Sequence, residues 1–448
     1  MIKRPWVITV LLVALAFVLR FYHFEARAPF DWDQNRDYGE VVKIAAGEYL
    51  PLGPIAKGTG GFYLGSLYYY LLYPTYFFLH GALTALPLTS LMIDALVAGF
   101  IYLLLHKTLG KERSLLLALL WATSWFLIDS SRISWNVSLV PLWSLFTLYS
   151  LYEVIQHKSS RHLYLLAFLS GLSIHIHVTT IPIIPLLLLF FWKRVSFSVS
   201  IWLKAIVVGL VPAIPLAVYD LSHSFFNLHL LRDFITYHSK VNTPLVQMVP
   251  IVLTKLGKVV SGLFISEFRD NLLLGVVVVS LAIKGVFTNH SLSRLAGATV
   301  LISTSSIILF RDYGFPEYYF ALSYLSLFIL TLKILPRVAL YLLIGILLLL
   351  NIHDYTTVST GYSLAVKTEI INSLQSIEEP IDLNYSFDPG RDGGLRYLAK
   401  LNGLTLDSHS KTRILLTDKL NTPLYIDGEL ARDLIQIGNI KTALYIVQ

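Results

Sequence analysis

The stretch FDWDQNRDYGEVVKIAAGEYLPLGPIAKGTGGFYLGSLYYY, from Phe30 to Tyr70, decides how this chain is interpreted. It follows the first apolar segment and gathers several ionisable side chains: Asp31, Asp33, Arg36, Asp37 and Lys57. Ionisable groups beside a membrane are costly, and they usually serve a function there. We therefore expect this stretch to be a loop at the membrane surface that carries the active site.

Composition places the whole chain in the membrane. Of its 448 residues, 55% are hydrophobic and only 14% are charged, and the mean hydropathy is +0.65. A soluble domain is less apolar and carries more charge on its surface. The chain has no cysteine, which excludes disulfides, thiolate metal sites and a cysteine nucleophile. The net charge of +7 is spread over short loops, which suits membrane orientation better than nucleic-acid binding.

The amino terminus is predicted to be cytoplasmic, because Lys3 and Arg4 precede the apolar run from Pro5 to Phe24. Cleavage of a signal peptide after Ala28 is the alternative, but the following Pro29 and the many later apolar segments argue against it.

The second apolar stretch, Phe62 to Leu83, is predicted to lie along the outer interface as an aromatic-rich helix. If it crossed the membrane, the basic clusters of the next three loops would fall outside, against the positive-inside rule. Further spans are predicted at 88–106, 114–128, 137–154, 162–177, 179–192, 199–219, 271–284, 295–310, 318–332 and 338–352.

This pattern gives about eleven transmembrane helices, so the carboxyl terminus lies outside, together with loops 25–87, 129–136, 220–270 and 311–317. A second interfacial helix is predicted within 220–270, where Lys255 and Lys258 interrupt an apolar pattern. From residue 353 to 448 charged residues return, with two helix-like and several strand-like segments. The sequence therefore predicts a membrane domain, 1–352, and a small extracytoplasmic α/β domain, 353–448.

The acids of the first loop are candidates for a general base. A carboxylate at the rim of an apolar cavity accepts a proton more readily than one in water, which suits Asp33 with Asp31 and Asp37 beside it. The alternative is that these acids form a solvated loop or cap a helix that begins near Tyr38, since Asp is a favoured capping residue.

Cations in other outer segments suit a phosphate. Lys57 lies in GPIAKGTGG, whose glycines let the backbone fold around an anion, although the same segment also reads as a flexible linker. Arg132 lies in the short turn SSRISWN, where it either pairs with a phosphate or loop acid or snorkels to the interface. Arg311 opens RDYGFPEYYF, a turn suited either to a polar ligand or to an aromatic belt.

With these pieces together, the chain resembles the GT-C glycosyltransferases of the protein O-mannosyltransferase and aminoarabinose transferase type, in a bacterial branch with a DQxRD loop. The matching segments are DWDQNRDYGEVVKIAAGEYLPLGP, GFYLGSLYYYLL, SSRISWN, GLSIHIH and EYYF, in that order. The resemblance implies an inverting sugar transfer from a polyprenyl-phosphate donor to a lipid, glycan or protein acceptor at the outer face of the plasma or inner membrane.

The resemblance also implies roles for single residues. Asp33 aligns with the family's acid and Lys57 with its donor-phosphate lysine. Many relatives have Asp-Glu where this chain has Asp33-Gln34, so Asp31 or Asp37 is an alternative base. Arg132 and Arg311 are further candidates for the phosphate. The remaining candidates for substrate binding are Gln34, Arg36, Tyr63, Asn136, His177, Glu317 and Tyr318.

No organic cofactor is expected, since a lipid phosphate is already a good leaving group. Some GT-C enzymes use a divalent ion, for which Asp31 and Asp33 are suitable ligands, but the branch resembled here points to a metal-independent reaction. His175 and His177 face different sides of a helix and do not predict a shared metal. A flippase or exporter of lipid-linked glycans is the alternative function, and Asp94 is the main charged residue within a span that favours it.

Overall fold

The computed structural model describes residues 4–56, 61–240, 243–265, 268–312, 314–357, 362–386 and 392–417, and the backbone of four strand segments between 425 and 446. Helices dominate the part up to residue 357. Their bounds are α1 Pro5–Phe21, α2 Phe24–Arg27, α3 Trp32–Ala45, α4 Leu67–Phe78, α5 Ala85–Leu109, α6 Lys111–Thr123, α7 Trp125–Ser130, α8 Val140–His157, α9 Ser160–Leu172, α10 Ile183–Phe190, α11 Val199–Leu210, α12 Ile214–Ser222, α13 Phe226–Lys240, α14 Leu245–Ile265, α15 Leu272–Val286, α16 Ser291–Phe310, α17 Tyr324–Ile334 and α18 Arg337–Thr357.

Several of these helices can cross a membrane. Among the described residues, five helical stretches are long and apolar enough by length and composition, namely Ala85–Leu109, Asn136–His157, Val199–Ser222, Leu245–Ile265 and Ser291–Phe310. Shorter apolar helices occur at Pro5–Phe21, Val178–Phe190, Leu272–Val286 and Arg337–Leu350. The prediction of a multi-pass helical membrane protein is confirmed, whereas the count of eleven spans stays a prediction.

Several predicted spans contain breaks, of which three matter for the site. The helix predicted at 114–128 ends at Thr123 and resumes at Trp125, with Ser124 extended between them. The span predicted at 162–177 stops being α-helical at Leu172 and continues as a 3-10 turn. The span predicted at 318–332 starts as the 3-10 turn Glu317–Ser323, which precedes α17. Hydropathy alone does not reveal such breaks.

The segment predicted as one interfacial helix over Phe62–Leu83 is two elements. Its first residues form strand β2, Phe62–Gly65, which pairs antiparallel with β1, Leu52–Ala56. The helix α4 has only 12 residues. At ~1.5 Å per residue it is about 18 Å long, too short to cross a hydrocarbon core of about 30 Å.

The second predicted interfacial segment corresponds to α13 and α14. Helix α14 meets the length and composition of a span. Two contacts nevertheless join this region to the turn 311–317. Thr243, just before α14, donates to the Arg311 carbonyl, and Lys258 within α14 pairs with Glu317 at 2.9 Å. The interfacial position of α14 stays a prediction.

The part after residue 357 combines helices with a sheet. Its helices are α19 Leu364–Ser373 and α20 Leu395–Leu401, and its strands are β3 Ile381–Ser386, β4 Thr412–Thr417, β5 Tyr425–Ile426, β6 Glu429–Leu430, β7 Asp433–Ile437 and β8 Ile440–Ile446. Four of the strands form a sheet in the order β3-β4-β8-β7, with β3 parallel to β4 and the other pairs antiparallel. The pair β5 and β6 forms a separate hairpin.

Buried arginines join the first helices of the bundle. Arg20 on α1 is fully buried and pairs with Asp94 on α5 at 2.6 Å. It also donates to the Ala122 and Trp121 carbonyls at 3.1 and 3.2 Å. These carbonyls belong to the last turn of α6, where helix carbonyls lack intrahelical partners. Arg20 therefore ties together α1, α5 and the break after α6.

This pair gives a stability prediction. Asp94→Leu should lower the free energy of unfolding by about 3–5 kcal/mol, because it leaves the Arg20 cation buried without a counter-charge. The variant Asp94→Asn should be less destabilised than Asp94→Leu, since its amide oxygen still accepts from the Arg20 guanidinium. Unfolding of purified protein in detergent measures both. Equal losses in the two variants would contradict this account.

Candidate active site

The first turn of α3 carries the acids predicted to lie in a loop. Asp31 is the residue before the helix, and its side chain accepts a hydrogen bond from the backbone N–H of Gln34. The Gln34 side chain in turn accepts from the Asp31 N–H at 3.0 Å. This reciprocal pair is a capping box, which an acid followed three residues later by Gln favours. The helix begins at Trp32, so the predicted start near Tyr38 is wrong by six residues. Asp33 and Asp37 are therefore helical.

Arg36 connects the two helical acids. Its guanidinium lies 2.8 Å from Asp33 and approaches Asp37 with two bonds of 2.8 and 2.6 Å. Asp33 and Arg36 are three residues apart and share a helix face, whereas Asp37 directly follows Arg36 and is reached by its long side chain. The two acids differ in environment: the Asp33 side chain is 49% exposed, whereas that of Asp37 is fully buried.

Burial changes the chemistry of Asp37. It raises the pKa of this carboxyl to about 7, although the Arg36 cation acts in the opposite direction. The two carboxylates in turn raise the pKa of Arg36, against the effect of its burial. Within the described residues the Asp37 Oδ2 atom is buried without a hydrogen-bond partner.

The turn 130–137 forms the next wall of the site. Gln34 donates to the Ser134 carbonyl at 2.7 Å, and Tyr68 on α4 shares a hydrogen bond of 2.8 Å with the Ser134 hydroxyl. Asn136 donates to the Ile176 carbonyl at 2.5 Å and so holds the break that contains His177. The turn thus joins α3, α4 and the His177 segment.

The 3-10 turn Glu317–Ser323 closes the arrangement. The Tyr318 ring packs against Trp135 at 4.5 Å and His177 at 5.7 Å between ring centroids. Burial raises the pKa of the Tyr318 phenol to about 12, and the nearby Asp33 carboxylate raises it as well. Tyr318 therefore links the exposed acid of α3 to Trp135 and His177.

A cavity of about 220 Å³ lies beside this cluster. Its lining is mostly apolar, and its polar members include Asp94, Ser130, Ser131, Glu317 and Tyr318. Asp33 is not among the lining residues, but its neighbour Gln34 donates to Ser134, which lies between the lining residues Ile133 and Trp135. The site is therefore an apolar chamber whose wall is joined to the start of α3.

Two cations near this chamber were not predicted as site residues. Lys258 on α14 pairs with Glu317 at 2.9 Å and lies over the Phe268 ring at 4.6 Å. Lys255, one turn earlier, donates to the Phe315 carbonyl. Burial alone would raise the pKa of Glu317, but Lys258 and Lys255 hold it below its ordinary value. Sequence reasoning used these two lysines only to predict an interfacial helix, although two lysines three residues apart in an apolar helix also indicate a functional site.

Two of the predicted phosphate ligands lie within the described residues. Arg132 is fully buried, donates to the Arg20 and Tyr22 carbonyls at 3.1 Å each and lies 3.8 Å from Asp129, so its guanidinium contacts the end of α1. Arg311 ends α16 in the left-handed region, with φ of 58°. Lys57 lies outside the described residues.

Lys57 and Tyr63 belong to the β1–β2 hairpin region. The hairpin strands flank residues 57–60, so the predicted glycine-rich linker is bounded by paired strands. Tyr63 is held through its backbone: the Asn227 side chain accepts from its N–H at 2.7 Å and donates to its carbonyl at 2.9 Å.

The predicted absence of a histidine metal site concerns His175 and His177. His175 contacts the Pro212 carbonyl at 2.7 Å. Among the described residues no group of three His, Asp or Glu side chains forms a candidate metal site.

Comparison with known proteins agrees with this architecture. Residues 63–219 match the family described as dolichyl-phosphate-mannose-protein mannosyltransferase. The fold is similar to that of ArnT from Cupriavidus metallidurans in its crystal structure bound to undecaprenyl phosphate, with a TM-score of 0.60, 12% identity and 97% of each chain covered. No curated protein matches the chain.

An oligosaccharyltransferase from Archaeoglobus fulgidus, in a complex with zinc and sulfate, is also similar, with a TM-score of 0.49, 12% identity and coverage of 93% of this chain and 68% of that one. The chain therefore has the polytopic membrane fold of the GT-C type, as ArnT does, and residues 63–219 resemble a mannosyltransferase family.

The buried acid gives a prediction about pH. The pKa of Asp37 is raised from an ordinary value of 3.8 to about 7, so ionising it costs stability in the folded state. The protonated carboxyl of Asp37 contributes fully to the free energy of unfolding below about pH 4, contributes less as the pH rises towards 7, and contributes nothing above that. Apparent melting temperatures of wild type and Asp37→Asn, measured from pH 4.5 to 8, should show a steeper decline for wild type. Asp33→Asn is the control, and equal slopes for wild type and Asp37→Asn would contradict the assignment.

Proposed function

We propose that this glycosyltransferase moves a sugar from a polyprenyl-phosphate donor to an acceptor at the outer face of the membrane, with inversion and with Asp33 as general base. The observation that carries the proposal is that the three acids of α3 differ in their exposure and in their hydrogen bonds. Asp31 is engaged in capping α3, and Asp37 is fully buried. Asp33 is half-exposed and adjoins Gln34, whose side chain donates to the turn that lines the chamber. Only Asp33 combines access for an acceptor with a position near the chamber.

The reaction needs few groups. Asp33 takes the proton from an acceptor hydroxyl, the acceptor oxygen bonds to the anomeric carbon, and the bond from that carbon to the phosphate oxygen breaks, leaving its electron pair on the lipid phosphate. Cations placed at the departing phosphate stabilise the developing charge. Arg36, which is 29% exposed, is the described candidate, and Lys57 is the candidate that the family resemblance implies.

A prenyl-phosphate donor has separate support. ArnT, which shares the fold, is bound to undecaprenyl phosphate in its crystal structure, and the matched family is described by a dolichyl-phosphate sugar. Such a donor needs no nucleotide site, and its apolar tail suits a bundle of apolar helices. The inner or plasma membrane, with the amino terminus in the cytoplasm, is the proposed location.

The pairing of Asp94 weakens the alternative of a lipid flippase. Asp94 was the charged residue within a span that favoured a transport path, and it lines the chamber, but its carboxylate is paired with Arg20. Because Arg20 also satisfies helix carbonyls, this pair has a structural role that needs no transport path.

The decisive test is Asp33→Asn, which keeps the size of the side chain but removes its basicity. We expect sugar transfer to fall ~10²-fold or more, because a general base contributes about that factor, while donor binding survives. The assay uses purified protein with polyprenyl-phosphate sugars, and Asp37→Asn and Glu40→Gln, on the same helix, are the matched controls.

Two outcomes would correct the proposal in different ways. Full activity in Asp33→Asn with loss in one control would move the base to another acid. Absence of transfer by wild type from every such donor, with movement of these lipids between leaflets, would refute the proposed enzyme.

Orientation is testable because the chain has no cysteine. Lys111 and Ser408 are both exposed, so single cysteine variants at these positions differ mainly in the side they face. In intact cells an impermeant thiol reagent should label Ser408→Cys and leave Lys111→Cys unlabelled. The wild-type chain gives the background, and lysed cells show that both cysteines can react. Labelling of Lys111→Cys in intact cells would overturn the predicted orientation.

A further inference from the structure

The part of the chain after residue 362 packs directly against the segment that leads into α3. The Leu364 N–H donates to the Ala28 carbonyl at 2.8 Å, and Pro29 pairs with Ser363 in an isolated antiparallel bridge. Gly393 lies so close to the backbone of Trp32 that a side chain would not fit. The contact therefore reaches the first residue of α3.

A fully buried cation lies at the centre of this contact. The ammonium group of Lys367 donates to Asp31 Oδ1 at 2.7 Å, to the Phe30 carbonyl at 2.8 Å and to the Gly393 carbonyl at 2.8 Å. A lysine has three N–H donors, so each has an acceptor here. Burying an ammonium group is expensive unless it is paired and hydrogen-bonded in this way.

The position of Lys367 is unusual for a cation. The amino end of a helix carries partial positive charge, so a lysine beside the start of α3 is disfavoured unless an acid lies between them. Asp31 lies there, since it caps α3 and also binds Lys367. The lysine thus acts on the helix through the carboxylate that sets its first turn.

Asp33 is two residues beyond Asp31, on that same turn. We propose that Lys367 is a positioning residue of the active site: it locks the first turn of α3 to the terminal part of the chain and so fixes the direction of Asp33. This inference rests on the proposed role of Asp33 as base. It gives residues 362–396 a part in catalysis without contact to substrate.

The first arm of the test uses Lys367→Met, which keeps much of the side-chain length and removes the charge. The assay uses the fraction of the variant that elutes at the volume of folded protein. In this fraction kcat should fall about 10- to 100-fold, because misplacing a catalytic group by about 1 Å costs about that much. The KM for the donor should change much less. Amide hydrogen exchange at residues 31–37 should become faster. A purely structural role would lower the yield of folded protein and leave kcat per folded molecule unchanged.

The second arm restores the contact by other means. Antiparallel bridge partners have the Cα separation that a disulfide requires, so Pro29→Cys and Ser363→Cys are added to Lys367→Met. The oxidised triple variant should recover most of the lost kcat, and the same protein after reduction should lose it again. The oxidised and reduced forms are matched controls, because the chain has no other cysteine.

The outcomes separate the two proposals. A folded Lys367→Met protein with wild-type kcat, or a loss of kcat that the disulfide does not recover, overturns the positioning role. If wild type transfers no sugar, the proposed function fails, and hydrogen exchange alone then decides the inference: unchanged exchange at residues 31–37 in Lys367→Met overturns it as well.

Discussion

The bundle depends on the satisfaction of broken helix ends inside an apolar environment. Arg20 on α1 serves the last carbonyls of α6, and Arg132, which follows α7, serves the carbonyls at the end of α1. A carbonyl without a partner in a membrane costs several kcal/mol, and no water is at hand to replace a missing donor. The two arginines therefore make it possible for α1 and α6 to end where the site needs loops.

The acids of α3 show how one short sequence receives three roles from its surroundings. Asp31, Asp33 and Asp37 are of one residue type within seven positions, yet they cap a helix, face an opening and lie buried against Arg36. Their distinction comes from burial and hydrogen bonding, which raise or lower the free energy of the charged form. A helix built in this way keeps one half-exposed carboxylate beside two that are engaged in contacts.

Sequence reasoning reached the class of the protein because bulk hydropathy and the order of short motifs are properties of the chain itself. It placed the acids, the 130–136 turn and the 311–320 turn in outer segments, and the structure joins these elements through Gln34, Ser134 and Tyr318. It misjudged elements that depend on particular contacts. The capping box of α3 and the β1–β2 hairpin arise from partners close in the sequence, whereas the contacts of Arg132 are with carbonyls 110 and 112 positions away. Hydropathy encodes neither kind of contact.

The bond between Lys367 and Asp31 joins residues 336 positions apart in the sequence. During synthesis the ribosome completes α1 through α18 before it reaches Lys367, so the start of α3 is made long before its partner. Helix α3 therefore acquires this contact only after the helices of the membrane part have been synthesised. The order of translation delays the final geometry of α3 until the bundle around it exists.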